Sequence, residues 1–106
     1  MTNSTQREKA GRFLALHHGP PILVLPNAWD AVPANLFEQE GFQAVATTSG
    51  GIAASLRYPD GERMTLCENL EVVRRIAQAV DIPVSAGIEA GCGRRPEEEA
   101  QAARAV

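Results

Sequence analysis

Three short, predominantly apolar segments alternate with helical segments, and this alternation constrains the fold more than any other feature of the sequence. The apolar segments are residues 22–25, 44–48 and 82–88. Apolar runs of this length are typical of strands that are buried on both faces of a parallel sheet. Strands that alternate with helices favour a parallel sheet joined by right-handed crossovers. The sequence therefore predicts an α/β fold in which an N-terminal helix precedes three βα units.

The helical segments are recognised by their capping residues and by the spacing of their apolar residues. Helices are predicted over residues 5–18, 30–40 and 65–80, and a last one begins at Pro96. The third is the clearest, because Thr65 and Glu68 have capping-box spacing and apolar residues follow on one face. On its polar side, Glu71 and Arg75 are placed to pair at i, i+4. Between the second strand and this helix, we expect a loop at 49–51 and a single helical turn at 52–56.

The chain is too short for the closed fold that this pattern suggests. It has 106 residues, whereas a barrel of eight βα units needs about 250 residues. Three strands cannot close a barrel, so they leave two open edges. We therefore expect either one part of a larger barrel or a truncated domain whose edges need a partner.

Composition excludes several classes of function. The net charge is −3 and the isoelectric point is near 5.3, which gives the chain no electrostatic reason to bind nucleic acid or an anionic membrane. Cys67 and Cys92 are too few and too far apart for a disulfide framework or a zinc motif. No apolar run approaches the roughly 18 residues of a membrane span, and the N-terminus lacks the pattern of a secretory signal. We expect a cytoplasmic protein.

Polar and glycine-rich residues follow each predicted strand, at residues 27–30, 48–51 and 89–93. Ligands of parallel α/β folds bind at the carboxyl ends of the strands. The backbone N–H groups of Ser49, Gly50 and Gly51 are candidates for a carboxylate or phosphate site. A plain strand-to-helix turn explains the same residues equally well.

Two carboxylates and one aromatic residue complete the set of candidates. Asp60 and Glu89 are the acids best placed to serve a divalent cation, and Mg²⁺ typically takes few carboxylates and keeps several waters. Asp60 also fits a Pro-Asp-Gly turn, whereas an acid at the end of an apolar strand, as at Glu89, needs a functional reason. Trp29 is either the wall of a pocket or a packing residue.

Four segments resemble the isocitrate lyase/phosphoenolpyruvate mutase family in order and spacing. These are Leu-Pro-Asn-Ala-Trp-Asp-Ala at 25–31, the run from Gly41 to Leu56 with its Thr-Thr-Ser-Gly-Gly, Tyr-Pro-Asp-Gly at 58–61, and Ile-Pro-Val-Ser-Ala-Gly-Ile-Glu-Ala-Gly-Cys-Gly at 82–93. The resemblance implies that residues 1–106 are the N-terminal part of a (β/α)8 TIM barrel. It does not distinguish between members of the family.

The resemblance also implies a function and a set of roles. It implies a lyase or mutase that uses Mg²⁺ to break a carbon–carbon or phosphorus–carbon bond in a small 2-oxo or 2-hydroxy acid. Mg²⁺ and backbone amides would stabilise the developing oxyanion of an enolate-like species. The implied substrate-binding residues are Trp29, Asp30, Ser49, Gly50 and Gly51. Asp60 and Glu89 would hold metal-bound waters.

The chain departs from the family pattern at the third strand. Gly87 stands where the family has the acid that binds the metal directly, so we expect weak Mg²⁺ binding. Cys92 stands where an aromatic residue is usual, and the family's catalytic loop corresponds to positions beyond Val106. Catalytic residues are therefore not assigned, and we expect the fragment to be inactive alone and its full-length form to be a homo-oligomer. The alternative is a non-catalytic, truncated paralogue that acts as an interaction module through its open strand edges.

Overall fold

The structure is a computed structural model that describes residues 5–59, 64–88 and 96–97. Its elements are α1 (Gln6–Leu16), β1 (Asn27–Ala28), α2 (Ala31–Gln39), β2 (Val45–Thr47), α3 (Ser49–Ser55), α4 (Leu66–Ala79) and β3 (Val84–Ser85). Within the described residues, the strands form one parallel sheet in the order β1-β2-β3. The predicted α/β fold with a parallel, unclosed sheet is thus confirmed for these residues.

The first strand does not lie where the sequence predicted it. Residues 22–25 are outside β1, and the side chains of Ile22 and Val24 are 86 % and 58 % exposed. The N–H of Ala46 in β2 donates to the carbonyl of Pro26 at 2.9 Å, and the N–H of Thr48, the residue after β2, donates to that of Ala28 at 3.1 Å. Among the described residues, none of these bonds reaches the apolar run. The prediction was wrong because an apolar run of four residues does not by itself reveal where a neighbouring strand pairs.

The second helix and the long fourth helix begin as predicted. In α2, Asp30 Oδ1 accepts the N–H of Val32 at 3.0 Å, and Gly41 follows the helix with a φ of +96°. In α4, both hydrogen bonds of the capping box between Thr65 and Glu68 are present. These side chains satisfy N–H groups that have no partner within their helix, which fixes where each helix starts.

The segment Ser49-Gly50-Gly51, expected to be a loop, is the first turn of α3. Thr48 is the N-cap, since its Oγ1 accepts the N–H of Gly51 at 3.1 Å and its carbonyl accepts the N–H of Ile52 at 2.8 Å. Two adjacent glycines argue against a helix by propensity. The capping threonine outweighs that preference here, so the helix begins three residues earlier than predicted.

Two buried clusters of apolar side chains connect the helices to the sheet. One contains Ala28, Ala34, Ile76 and Val80, and the other contains Ile52, Ala53, Met64 and Val73. The buried side of α4 consists of Asn69, Val73 and Ile76, while the apolar residues Leu70 and Ala77 are only half-buried. Leu70 and Ala77 instead line a groove of about 650 Å³ between α1, α4 and the edge of β3.

Helix α1 is attached to the rest of the fold mainly by two cations. None of its residues is buried. Lys9 Nζ donates to the carbonyls of Ala77 and Val80, at 3.4 and 2.9 Å, and Arg12 Nη2 donates to the carbonyl of Asp81 at 2.9 Å. Positive charges at the C-terminal end of α4 also favour its helix dipole. The attachment of α1 is therefore largely polar.

Candidate functional site

The carboxyl ends of the three strands lie side by side. The sheet register places Ala28 opposite Thr47 and Ala46 opposite Ser85. The residues that leave these strands, 29–30, 48–51 and 86–88, therefore share one edge of the sheet. We call this set of residues the rim, and it contains most of the candidates that the sequence predicted.

The first two strand ends touch each other at Gly51. A Cβ atom placed on Gly51 would lie 3.2 Å from Trp29 Cβ and 2.6 Å from Thr48 Cγ2. The glycine thus allows the loop after β1 to approach the start of α3. Trp29 keeps 44 % of its surface exposed. The Cβ atom of Trp29 packs against α3, and the exposed part of its side chain could border a bound ligand.

The hydrogen bonds of α3 limit which amides of the rim could meet a ligand. The N–H of Gly51 already donates to Thr48 Oγ1, so Gly51 contributes close packing rather than a donor. Ser49 and Gly50 occupy the first turn, where helix N–H groups point towards the N-terminus. Asp30 follows β1, and its carboxylate serves as the N-cap of α2.

Gly87, which follows β3, forms hydrogen bonds through both its N–H group and its carbonyl group. The N–H of Gly87 donates to Thr47 Oγ1 at 2.9 Å, and its carbonyl accepts from Asn69 Nδ2 at 3.2 Å. Thr47 and Asn69 are only 6 % and 4 % exposed. A Cβ atom on Gly87 would lie 3.1 Å from the carbonyl oxygen of Thr47 and 4.0 Å from the amide nitrogen of Ser49. Position 87 and the start of α3 are therefore neighbours within the rim.

Sequence reasoning missed Thr47 and Asn69 as parts of this arrangement. The usable signal was Asn69, a polar residue four positions before Val73 on the buried side of α4. A buried polar side chain needs hydrogen-bond partners, which suggests contact with backbone near the sheet. Thr47 gave no comparable signal, because threonine is ordinary in a strand.

A second polar cluster lies where the chain passes from α3 to α4. Tyr58 Oη donates to Glu68 Oε2 at 2.8 Å, and Glu68 Oε1 accepts the N–H of Thr65 at 3.1 Å. The pKa of Glu68 is lowered, first by the backbone hydrogen bond from Thr65 and then by that from Tyr58. The pKa of Tyr58 is raised by the same hydrogen bond and by the negative charge of Glu68. These hydrogen bonds connect Tyr58, which precedes residues 60–63, to Thr65 and Glu68, which follow them.

The predicted metal-binding acids Asp60 and Glu89 lie outside the described residues, and so does Cys92. Among residues 5–59, 64–88 and 96–97, no group of three or more His, Cys, Asp or Glu residues is close enough to hold a metal ion. Gly87 offers neither a carboxylate nor room for a side chain without displacement of its neighbour. The described part of the rim therefore does not fit a directly ligated divalent cation.

None of the helices within residues 5–59, 64–88 and 96–97 is long and apolar enough to cross a membrane.

Comparison with known proteins gives consistent matches along most of the chain. The family model described as phosphoenolpyruvate phosphomutase matches residues 13–106. The 2-methylisocitrate lyase of Bacillus subtilis (strain 168) is 36 % identical over 90 residues, which are 85 % of this chain and 30 % of that protein.

Solved structures match the fold as well. The phosphoenolpyruvate phosphomutase of Streptomyces platensis subsp. rosaceus aligns with a TM-score of 0.83 and 29 % identity, over 90 % of this chain and 33 % of that one. A phosphonopyruvate hydrolase solved in complex with oxalate and Mg²⁺ aligns with a TM-score of 0.70 and 27 % identity, over 90 % of this chain and 35 % of that one.

The extent of these matches shows which family the chain belongs to and which region of the family's fold it matches. The chain spans about a third of the length of the curated relatives it matches. The described residues, with their open three-stranded sheet, align with part of the fold of the phosphomutase. The relatives reported above are a lyase, a mutase and a hydrolase. The chain therefore belongs to the phosphoenolpyruvate mutase/isocitrate lyase family and corresponds to the N-terminal region of its TIM barrel.

Proposed function

We propose that this chain is the N-terminal barrel segment of a lyase or mutase that acts on a small 2-oxo or 2-hydroxy carboxylic acid. The reaction would break or rearrange a carbon–carbon or phosphorus–carbon bond. The observation that carries the proposal is the rim, where Trp29, the start of α3 and Gly87 meet at the carboxyl edge of the sheet. Relatives named 2-methylisocitrate lyase, 2,3-dimethylmalate lyase and phosphonopyruvate hydrolase all carry the name of a small acid.

The substrate carboxylate would bind at the first turn of α3. Ser49 and Gly50 present backbone at the positive end of this helix, which favours an anion. Gly51 lets Trp29 approach the start of α3, and we propose that Trp29 and Asp30 would border the substrate there. These residues would bind and orient the substrate and exclude water from one side of it. No proton transfer is assigned to them.

We propose that Mg²⁺ binds only weakly to this protein. Asp60 and Glu89 would contact it through water, as the resemblance implies. No carboxylate stands at position 87, and the described residues do not complete a ligand set. We therefore assign no step of the reaction to the ion.

The proposal concerns residues 1–106 as one partial barrel domain. The chain covers about a third of its curated relatives, so we propose that this segment is inactive alone and that activity requires the complete barrel. We further propose that the complete protein is a cytoplasmic homo-oligomer that binds neither nucleic acid nor membranes.

The test is a substrate panel assayed with the complete protein. 2-Methylisocitrate, 2,3-dimethylmalate and phosphonopyruvate would each be followed by NMR for loss of substrate. We expect turnover of one of these or of a close analogue, and Gly51→Ala should lower it because the added Cβ would displace the side chain of Thr48, which caps α3. Gly19→Ala is the matched control, since nothing lies within 4 Å of a Cβ at that position. Absence of turnover and of oxalate binding would refute the proposal.

A second candidate function is that of a non-catalytic interaction module. The exposed apolar side chains of Ile22 and Val24, which precede the edge strand β1, favour it. Exposed apolar residues beside an open strand edge are a typical site of association. A protein of this kind would bind a partner and turn over none of the panel.

A further inference from the structure

The end of β3 is held by hydrogen bonds on both sides of Gly87. Its N–H group bonds to the side chain of Thr47 on the neighbouring strand, and its carbonyl bonds to the side chain of Asn69 on α4. Both partners are almost completely buried. We call these three residues the β3 joint.

The β3 joint leaves little space for a side chain at position 87. A Cβ on Gly87 would approach the carbonyl oxygen of Thr47 to 3.1 Å, which is closer than ordinary van der Waals contact. That oxygen is backbone within β2 and cannot move without shifting the strand. A longer side chain would extend from there towards the start of α3, where the proposed carboxylate site lies.

Burial of the Asn69 side chain is energetically unfavourable, which is consistent with a role in the β3 joint. Its Oδ1 atom is buried and has no hydrogen-bond partner within the described residues. An unpaired buried acceptor is unfavourable, and an apolar residue would avoid it at this position of α4. The amide nitrogen of Asn69, however, is the donor that satisfies the Gly87 carbonyl.

We infer that the β3 joint disfavours a side chain at position 87, so that a single Gly87→Asp substitution would not restore a direct metal ligand to this rim. A side chain at position 87 would crowd the carbonyl oxygen of Thr47 in β2. Any divalent cation at the rim is held without a protein ligand from position 87. The inference deepens the proposed function and rests on it for the location of the substrate site.

The first experiment compares glycine variants of the complete protein by thermal unfolding. Gly87→Ala should lower Tm by roughly 2–4 °C, because the added Cβ strains the joint. Gly11→Ala is the control, since Gly11 lies inside a helix with open space around it and alanine is there the better helix former. An unchanged or higher Tm for Gly87→Ala would overturn the inference.

The second experiment titrates Mg²⁺ alone into the wild type, Gly87→Asp and the charge-matched control Gly19→Asp by calorimetry. We expect Gly87→Asp to bind Mg²⁺ within about threefold of the wild type, because this ion demands near-ideal octahedral geometry. Tightening by about tenfold or more, equivalent to about 1.4 kcal/mol, would overturn the inference. This readout does not depend on turnover, so it can fail while the proposed function stands, and the reverse also holds.

A third measurement keeps the inference testable if Gly87→Asp does not fold. Thr47→Val removes the acceptor of the Gly87 N–H while Thr47→Ser keeps it. Amide hydrogen exchange at Gly87 should accelerate by about tenfold in the valine variant and stay near the wild-type rate in the serine variant. Equal rates in all three proteins would mean that the joint does not hold Gly87.

Discussion

At the residue scale, a few side chains determine where the elements begin and how the rim is shaped. Thr48, Asp30 and Thr65 each cap a helix, and two of these helices start directly at the rim. Gly51 and Gly87 contribute by having no side chain where backbone segments approach each other. The site is thus defined as much by caps and glycines as by reactive groups.

Removal of the α4 cap should have a measurable cost. Thr65→Ala deletes the hydroxyl that accepts the Glu68 N–H, and loss of such a cap typically costs about 1 kcal/mol. Denaturant unfolding would measure it. Thr65→Ser is the control and should stay within a few tenths of a kcal/mol. Equal stability of the alanine variant and the wild type would contradict the capping account.

The lowered pKa of Glu68 predicts an acid-dependent loss of stability. A carboxyl group whose folded pKa lies below its ordinary 4.5 contributes stability above that pH, and the contribution is lost as pH falls through the lower folded value. Glu68→Gln can still form the capping box but lacks the charge, so its Tm at pH 7 should lie slightly below that of the wild type. Its Tm should decline less than that of the wild type between about pH 5 and pH 3.

Glu71→Gln is a useful companion to this variant. The pKa of Glu71 is lowered, first by its hydrogen bond to Arg74 and then by that to Arg75, so this variant should also reduce the acid slope while the Tyr58 contact stays intact. Melting curves over the same pH range would check both variants. A steeper acid slope in either variant would contradict the sign of the pKa shift.

At the element scale, the sequence predicted helices better than strands, for a physical reason. A helix start is encoded locally, and Thr65 with Glu68 was sufficient to place α4. A strand end depends on what pairs with it, and the four apolar residues 22–25 could not reveal that β2 pairs with Asn27 and Ala28 instead. The same limit explains α3, since the cap at Thr48 outweighed the two glycines that argued for a loop.

Helix α1 should detach when its cationic contacts are weakened. Lys9→Met removes the bonds to the Ala77 and Val80 carbonyls, and a hydrogen bond to a charged group contributes about 1.5 kcal/mol. Amide exchange in α1 should therefore accelerate by about tenfold, while α2 is unchanged. Arg7→Met, an exposed position on the same helix, is the control. Unchanged exchange in Lys9→Met would mean that other contacts hold α1.

At the scale of the whole molecule, the family and the rim could be predicted while the metal site and the chemistry could not. Residues 41–56 carry a run specific enough to identify the family, and the parallel order of the strands brings their ends together. The roles of Asp60 and Glu89 remain predictions, because those residues lie outside the described structure. The β3 joint was not predicted, since it depends on how Asn69 packs against the sheet.

The open sheet predicts how the isolated 106-residue chain behaves. Its edge strands and the apolar residues near β1 have no partner within the described residues, so we expect the isolated chain to self-associate or to fold poorly. Analytical ultracentrifugation and scanning calorimetry would measure this. A monodisperse monomer with a cooperative thermal transition would contradict the expectation.

The central claim is that the rim at the carboxyl ends of β1, β2 and β3 is the carboxylate-binding site. Its most direct test is an NMR titration of the complete, isotope-labelled protein with oxalate, the anion bound in the phosphonopyruvate hydrolase relative. We predict that the largest amide shifts fall at Trp29, residues 48–51 and Gly87. Shifts concentrated in the groove between α1 and α4, or no shifts at millimolar oxalate, would contradict the claim.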